Sequence, residues 1–357
     1  MTKNLLLGIA AVCGSTFQAV ACTGISLTSR VGRYVQARTI EWARGVLQSE
    51  YVIIPRDRQL TSFTPTGVNG LTFTAKYGVV GLAVVQKEFI AEGMNEAGLS
   101  AGLFFFPHYG GYETYDAAQN QRTLADLQVT EWLLSQFSTI DEVKAALSSV
   151  RVVGLETTAV VHWRIGEPSG RQVVLEIVGG VPHFYENKVG VLTNAPGFEW
   201  QLINLNNYVN LHPGDASVQK LSGITLQPTG SNSGFLGIPG DATPPSRFVR
   251  AAFYRGTAPQ RATGFDTVQQ CFHLLNNFDI PIGIEYSQAG DIPDIPSATQ
   301  WTSAIDLTNR KVYYKTAYNN SIRCIDLKAI DFSKVKYQSQ PLDKIQEQPV
   351  EMVKIPR

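Results

Sequence analysis

Apolar and polar residues alternate near the start of the chain, in a pattern typical of paired strands. Residues 23–29 and 34–42 each alternate with a period of two, and a glycine lies between them. Two such runs around a glycine predict a β-hairpin, because successive side chains of a strand face opposite sides. The hairpin would place Cys22 at the start of one strand. Arg38 and Glu41 would lie on the partner strand, close enough to meet it.

The rest of the chain shows further segments of both periodicities. The strand-like runs cover residues 51–55, 71–77, 79–89, 99–106, 158–164, 173–178, 301–307, 311–316 and 322–327, and a pair of strands is predicted within 183–193. Apolar residues at helical spacing cover residues 124–137, 139–148, 200–208, 246–254 and 267–275. Strands grouped before and after helices, with hairpin connections, predict an α+β fold in which helices cover antiparallel sheets.

Residues 1–21 have the pattern of a leader that is removed on export. A lysine precedes an apolar stretch, and Ala19 and Ala21 are small residues of the kind that signal peptidases require. Cleavage after Ala21 would make Cys22 the first residue of the mature chain. The sequence therefore predicts a periplasmic or secreted protein.

A cysteine that follows a leader has two other interpretations. It is the acylated residue of lipoproteins, although Ala19 stands where the lipoprotein signal usually has leucine. It is also compatible with a plain secreted protein that happens to begin near a cysteine. A lipid-anchored binding protein without activity therefore stays open as an alternative to an enzyme.

Composition and charge restrict the partners. The 357 residues include 30 basic and 30 acidic ones without a basic run, which argues against a nucleic-acid partner. After the leader, the chain has no apolar stretch of about 18 residues, so no membrane span is predicted. No repeat or linker divides the remainder. We expect one domain over residues 22–332 and a polar tail over residues 333–357.

The four cysteines have different expected fates. Cys13 would leave with the leader, and Cys22 would then be an odd thiol in an exported chain. Cys271 and Cys324 form a disulfide in one interpretation and are separate thiols in the other.

A mature chain that begins with Cys22 carries a thiol and a free α-amino group on one residue. The ordinary pKa of an α-amino group is roughly 7.7–8.0, so part of it is unprotonated at neutral pH and accepts the thiol proton. This combination predicts an N-terminal-nucleophile amide hydrolase. The histidines have no metal-ligand spacing, so we expect neither a metal nor a cofactor. A cysteine peptidase would instead need one of the five beside Cys22: His108, His162, His183, His212 or His273.

Five short segments, taken in order, carry a resemblance to a known family. They are Cys22-Thr-Gly, Arg38-Thr-Ile-Glu-Trp, Gly93-Met-Asn-Glu-Ala-Gly, Leu192-Thr-Asn-Ala-Pro and Pro239-Gly-Asp-Ala-Thr-Pro-Pro-Ser-Arg-Phe. Together they resemble the choloylglycine hydrolase family, which includes penicillin V acylases and conjugated bile salt hydrolases. The resemblance implies a four-layer αββα Ntn-hydrolase sandwich, a homotetramer and a small N-acyl amide substrate with an apolar acyl group.

The resemblance also implies catalytic roles. Cys22 would be the nucleophile, and the positive charge of Arg38 would favour its thiolate. Glu41 stands where the family usually has aspartate and would orient the α-amine. Asn194 would donate to the oxyanion, and Arg247 would support the site electrostatically. The alternatives are structural: solvated charges on a strand for Arg38 and Glu41, a turn residue for Asn194, and an exposed cation in a first helical turn for Arg247.

An apolar acyl pocket is predicted from aromatic residues, although each of them is also a candidate for the core. The predicted lining residues are Trp42, Phe104, Phe105, Tyr109 and Trp200. A backbone N–H in the segment around Phe104 would be the second oxyanion donor, and Asn95 would belong to a tight turn. We expect penicillin V as the leading substrate, then N-acyl homoserine lactones, then conjugated bile salts.

Overall fold

The computed structural model describes residues 21–42, 45–155, 160–284 and 296–356. Of the predicted leader, only Ala21 lies among the described residues. No helix in these ranges combines the length and the hydrophobicity that crossing a bilayer requires.

Strands make up most of the regular structure. In chain order they are β1 (Cys22–Thr28), β2 (Tyr34–Glu41), β3 (Ser49–Ile54), β4 (Gln59–Thr61), β5 (Thr72–Thr74), β6 (Val79–Val84), β7 (Ile90–Asn95), β8 (Ser100–Phe105), β9 (Thr123–Ala125), β10 (Arg151–Val153), β11 (Val161–Gly166), β12 (Gln172–Val178), β13 (Val181–Glu186), β14 (Val191–Leu192), β15 (Gln219–Leu221), β16 (Ile224–Leu226), β17 (Thr299–Asp306), β18 (Lys311–Thr316), β19 (Arg323–Asp326) and β20 (Gln338–Pro341). The α-helices are α1 (Val129–Gln136), α2 (Ile140–Ala146), α3 (Phe198–Asn204), α4 (Pro244–Thr257) and α5 (Gly264–Leu275).

Two antiparallel sheets form the centre of the molecule. The first has the order β14-β1-β2-β17-β18-β19, and the second has the order β13-β12-β11-β8-β7-β6-β3-β20. Helices α4 and α5 pack on the first sheet, and α1 packs on the second. The layers are thus helix, sheet, sheet and helix, which confirms the predicted αββα sandwich.

Strand β2 lies in the middle of the first sheet and is buried along its whole length. One face packs on α5 and the other faces the second sheet, so no position on the strand points to water. A charged side chain on such a strand needs partners, because burying a charge without them is costly. Arg38 and Glu41 are therefore not solvated charges.

The predicted hairpin at the start of the chain is confirmed. Strands β1 and β2 pair with Cys22 opposite Ile40 and Gly24 opposite Arg38. The turn expected at Asn95 is also present, since its Oδ1 accepts from the N–H groups of Gly98 and Leu99.

Two predicted elements are wrong in detail. Residues 124–137 do not form one helix, because Thr123–Ala125 is a strand paired in parallel with β10, and α1 begins only at Val129. The two strands within 183–193 do not pair with each other. Strand β13 joins β12 in the second sheet, whereas β14 joins β1 in the first, so the chain crosses between the sheets here.

The hairpin β15–β16 extends from the body of the molecule, and all six of its residues are exposed. Its pairing puts Leu221 opposite Ile224 and Lys220 opposite Thr225. Paired residues share a face, so one face is apolar and the other polar.

The segment after residue 332 contributes to the second sheet. Strand β20 pairs with β3, and the residues that follow it are mostly exposed. Cys271 and Cys324 are both free thiols, one buried on α5 and the other exposed on β19, so the disulfide interpretation is not supported.

Candidate active site

Cys22 is the first residue of β1 and is buried, with 1% of its surface exposed. The Nη2 of Arg38 lies 2.7 Å from its sulfur. Burial raises the pKa of the thiol; Arg38 and Arg247 lower it, and Glu41 raises it. The structure therefore brings the predicted nucleophile together with three of its predicted charged partners.

Ala21 is held in place before the nucleophile. Its carbonyl oxygen accepts from the backbone N–H of Glu41 at 3.0 Å, and its side chain packs in a small apolar cluster with Ile280 and Ala298. These contacts fix the backbone just before Cys22. Residues 1–20, the rest of the predicted leader, lie outside the described residues.

Asn194 follows β14, and its side chain binds the backbone of both Cys22 and Phe105. Its Oδ1 accepts from the N–H of Cys22 at 2.9 Å, and its Nδ2 donates to the carbonyl of Phe105 at 2.8 Å. An amide nitrogen carries two hydrogens, so one remains for an oxyanion. The alternative of a simple turn residue does not account for these contacts.

Arg247 lies in the first turn of α4 and is 1% exposed. Its Nη1 donates to the carbonyl of Cys22 at 2.6 Å, and its Nη2 donates to Oδ1 of Asn194 at 2.8 Å. A third bond runs from Nε to the carbonyl of Ala242. The alternative of an exposed cation is therefore wrong, and the side chain fixes the backbone of the nucleophile.

Glu41 ends β2 and is fully buried. Its Oε1 accepts from the hydroxyl of Thr299 at 3.2 Å. Its charge acts on the Cys22 thiol, whose pKa it raises. Glutamate in place of aspartate thus still directs a carboxylate toward the nucleophile.

The backbone donor at the sulfur comes from Phe105, within the segment around Phe104. The N–H of Phe105 donates toward the Cys22 thiol and lowers its pKa. Phe104 has a different place, because its ring is fully buried and lies 4.1 Å from the Arg38 guanidinium carbon. The side chain of Phe104 therefore packs against Arg38 in the core, and it does not line an open substrate pocket as predicted.

The other predicted pocket residues differ in exposure. Trp42 and Phe105 are half-buried. Trp42 directly follows Glu41 in the chain, and Phe105 carries the N–H that donates to the thiol. Tyr109 and Trp200 are 52% and 47% exposed. Nothing in the described contacts brings Trp200 to Cys22.

The histidines do not support a cysteine peptidase. His162 is buried and its ring nitrogens lie 3.1 Å from Glu176 Oε1 and from the Thr193 carbonyl, with Phe106 stacked on it at 4.3 Å. The other four histidines are exposed. Within the described ranges, no group of acidic, histidine and cysteine side chains could hold a metal ion.

Sequence reasoning did not identify Glu92 and Arg164, which lie beneath Arg38. Glu92 contacts both arginines, at 3.7 Å from Arg38 and 3.1 Å from Arg164. The sequence did contain a signal for this pair. Arg164 interrupts a strand of mainly apolar residues, and a charge on a buried strand needs a partner of opposite charge.

Comparison with known proteins identifies the family to which the chain belongs. A sequence model described as "Linear amide C-N hydrolases, choloylglycine hydrolase family" matches residues 22–340. The chain belongs to the choloylglycine hydrolase family. It is therefore a hydrolase of linear amide C–N bonds, and its αββα sandwich is the Ntn-hydrolase fold.

Relatives of two kinds are similar to this chain. A bile salt hydrolase/transferase of Clostridium perfringens is 31% identical over 313 residues, covering 86% of this chain and 92% of the relative. A penicillin V acylase of Pectobacterium atrosepticum is 26% identical over 328 residues, covering 84% and 78%. A solved variant of the conjugated bile acid hydrolase of C. perfringens superposes with a TM-score of 0.79 at 27% identity, covering 93% and 100%.

Proposed function

We propose that this protein is an exported amidohydrolase in which Cys22, freed at its N-terminus, forms a thioester with the acyl group of its substrate. The observation that carries the proposal is the contact of the Cys22 sulfur with Arg38 Nη2 at 2.7 Å, beside the N–H of Phe105. A cation and a backbone donor at a buried sulfur favour the thiolate, which is the nucleophilic form.

The first half-reaction makes the thioester. The α-amine of Cys22 takes the thiol proton, the sulfur attacks the amide carbonyl carbon, and a tetrahedral oxyanion forms. Asn194 Nδ2 and the N–H of Phe105 donate to that oxyanion. The C–N bond then breaks, and the leaving amine receives the proton from the α-ammonium group.

The second half-reaction releases the acid. Water gives a proton to the α-amine and attacks the thioester carbonyl, and the C–S bond breaks with return of the proton to sulfur. The carboxylate of Glu41 favours the protonated amine during both transfers, because opposite charges attract in a buried site. Arg247 holds the carbonyl of Cys22 and the amide of Asn194, so the two donors keep their relation to the nucleophile.

Penicillin V is the substrate that we propose first. Trp42 directly follows Glu41, and Phe105 provides the N–H at the sulfur. Both side chains are half-buried, and flat aromatic groups pack well on such rings. Conjugated bile salts are the second candidate, on the observation that the C. perfringens bile salt hydrolase/transferase is 31% identical. N-acyl homoserine lactones are the third, because they too join an apolar acyl chain to a small amine.

The three candidate substrates can be compared on one preparation of the mature protein. We expect the mature protein to hydrolyse penicillin V faster, by kcat/KM, than glycocholate or a long-chain N-acyl homoserine lactone, and Cys22→Ala to abolish all three. Preference for glycocholate would move the assignment to the second candidate. Hydrolysis that survives Cys22→Ala would overturn the mechanism.

The intact mass of the purified mature protein tests export and processing. A mass that begins at an unmodified Cys22 supports a periplasmic or secreted enzyme with a free α-amine. A diacylglyceryl adduct on Cys22 would support the lipid-anchored binding protein instead.

We also propose that the protein is a homotetramer. The support is the apolar face of the β15–β16 hairpin, which is exposed in the single chain. An isolated two-stranded hairpin has little stability in water, so contact with a neighbouring copy would stabilise it.

A further inference from the structure

A set of buried charges lies directly under the nucleophile, between the two sheets. Arg38 comes from β2, Glu92 from β7 and Arg164 from β11. Each of the three is at most 1% exposed. The ring of Phe104 packs against both guanidinium groups, with its centroid 4.1 Å from Cζ of Arg38 and 5.5 Å from Cζ of Arg164.

The guanidinium of Arg38 is held by the second sheet. Its Nη1 donates to the carbonyls of Ala91 and Leu103, on β7 and β8, and its Nη2 donates to the Cys22 sulfur. The carboxylate of Glu92 lies 3.7 Å from Nη1, beyond hydrogen-bond distance but within an ion pair. Glu92 therefore acts on Arg38 mainly through its charge.

Arg164 connects Glu92 to the strand pair that carries the nucleophile. Its Nη2 donates to Glu92 at 3.1 Å. Its Nη1 donates to the carbonyls of Ile25 on β1 and Ala37 on β2. Arg164 thus crosses from the second sheet to the first, and it fixes the carboxylate relative to both Cys22 and Arg38.

We propose that Glu92 and Arg164 form a positioning pair for Arg38, and that their opposite charges set the net charge that faces the Cys22 sulfur. Neither residue touches the sulfur, so both act through Arg38. The inference rests on the proposed role of Cys22 as the nucleophile.

Charge balance explains why the pair matters. The charges of Glu92 and Arg164 cancel, so of these three buried groups only the positive charge of Arg38 is left for a thiolate to neutralise. Removing the charge of Glu92 would leave two cations near the sulfur and favour the thiolate. Removing the charge of Arg164 would let Glu92 neutralise Arg38 and favour the thiol.

Other groups also face the thiol and stay constant in this comparison. They are the carboxylate of Glu41 on β2, the guanidinium of Arg247 on α4 and the N–H of Phe105 on β8. In the mature protein the α-amine of Cys22 would join them. Cys271 on α5 faces Arg164 but stays a neutral thiol, since burial raises its pKa to about 12. His162, which pairs with Glu176, packs edge-on against Phe104 with ring centroids 6.2 Å apart.

The test measures the ionisation of Cys22 without reference to any substrate. Mature protein carrying Cys324→Ser, which removes the exposed thiol, is alkylated with iodoacetamide over a range of pH, and modification of Cys22 is followed by mass. We expect Glu92→Gln to lower the thiol pKa by about half a unit or more, and Arg164→Gln to raise it by a similar amount.

The double variant Glu92→Gln/Arg164→Gln is the matched control. It restores the net charge, so we expect a folded protein whose thiol pKa lies within about 0.3 units of the parent. For any amide that the protein hydrolyses, the single variants should lose kcat by about tenfold with little change in KM.

A lower thiol pKa in Glu92→Gln together with a higher one in Arg164→Gln supports the proposal. A merely structural role would not shift the pKa in opposite directions. Shifts of the same sign, or no shift, would overturn the proposal. If the single variants fail to fold, the double variant decides: a parental thiol pKa supports the pair, whereas misfolding or a displaced pKa contradicts it. Failure to find a hydrolysed amide would count against the proposed function alone, since alkylation is independent of it.

Discussion

At the scale of single residues, the amide of Asn194 links the two backbone segments that meet at the sulfur. It accepts from the N–H of Cys22 and donates to the carbonyl of Phe105. Arg247 fixes the orientation of that amide by donating to the same oxygen. The nitrogen end is thereby directed to the side of Phe105, which is where an oxyanion donor is needed.

Replacing Asn194 should therefore impair the chemical step. We expect Asn194→Ala to reduce kcat by about 100- to 1000-fold, because one oxyanion donor is lost. Steady-state kinetics on the hydrolysed amide check this, with Asn206→Ala, at an exposed asparagine of the same protein, as the control. A loss confined to KM would contradict the assignment.

The charge of Glu41 should be visible in the pH profile. Its negative charge raises the pKa of the Cys22 thiol, so Glu41→Gln should lower that pKa and move the acid limb of kcat/KM to lower pH. The same change should lower kcat, because the α-amine loses its carboxylate partner.

Glu41→Asp provides the matched control for this prediction. Aspartate keeps the charge and is the residue usual in the family, so the acid limb should stay in place. An unchanged profile and unchanged turnover in Glu41→Gln would remove Glu41 from the mechanism.

The residues of the site were predictable to different degrees for physical reasons. Cys22, Arg38 and Glu41 could be predicted to lie together because one hairpin carries them, and the register of a hairpin follows from a short stretch of sequence. For the backbone donor, only the segment around Phe104 was predictable, since the choice of Phe105 within it depends on how the two sheets pack against each other. Sequence patterns do not describe that packing.

At the scale of elements, strands with clear alternation or clear hydrophobic runs were predictable and long-range partners were not. The segment 183–193 has the pattern of two strands, yet β13 and β14 belong to different sheets. Residues 123–125 form a strand because β10 pairs with them, although their apolar spacing continues that of α1. In both cases tertiary pairing overrides the local pattern.

Close packing of the sheets at Gly24 gives a prediction about stability. A Cβ at Gly24 would lie 2.8 Å from Phe104 Cζ and 2.9 Å from Arg164 Nη1. We expect Gly24→Ala to lower the free energy of unfolding by about 1–3 kcal/mol, because overpacking displaces both groups. Thermal or urea denaturation measures the change.

Gly256→Ala is the control for that substitution. Gly256 lies in α4 with nothing within 4 Å of an added Cβ. Alanine there should leave stability unchanged or raise it by up to about 1 kcal/mol. Equal effects of the two substitutions would show that sheet packing at Gly24 is not the cause.

At the scale of the whole molecule, the hairpin β15–β16 tests the proposed assembly. Ile224→Asp places a charge on its apolar face, and we expect light scattering to show a tetramer dissociating into smaller species. Thr225→Asp, on the polar face of the same strand, should leave the tetramer intact. A monomeric parent protein, or dissociation by both substitutions, would contradict the proposed interface.

Processing of the N-terminus should decide activity. Protein that begins at Ala21 has the amine of Cys22 in a peptide bond, so that amine cannot carry protons. We expect it to hydrolyse amides at least about 100-fold more slowly than protein that begins at Cys22. Equal rates for the two forms, measured on one substrate, would refute the proposed proton carrier.

The bond between the N–H of Glu41 and the carbonyl of Ala21 has a consequence for the product. Once Ala21 is gone, this buried donor has lost that acceptor and a small apolar space beside Ile280 and Ala298 is vacated. The loss of one buried hydrogen bond costs about 0.5–1.5 kcal/mol, so removal of Ala21 should lower the melting temperature. The acid released by hydrolysis carries a carboxylate that fits such a donor. Accumulating product should accordingly slow the enzyme and raise its melting temperature again.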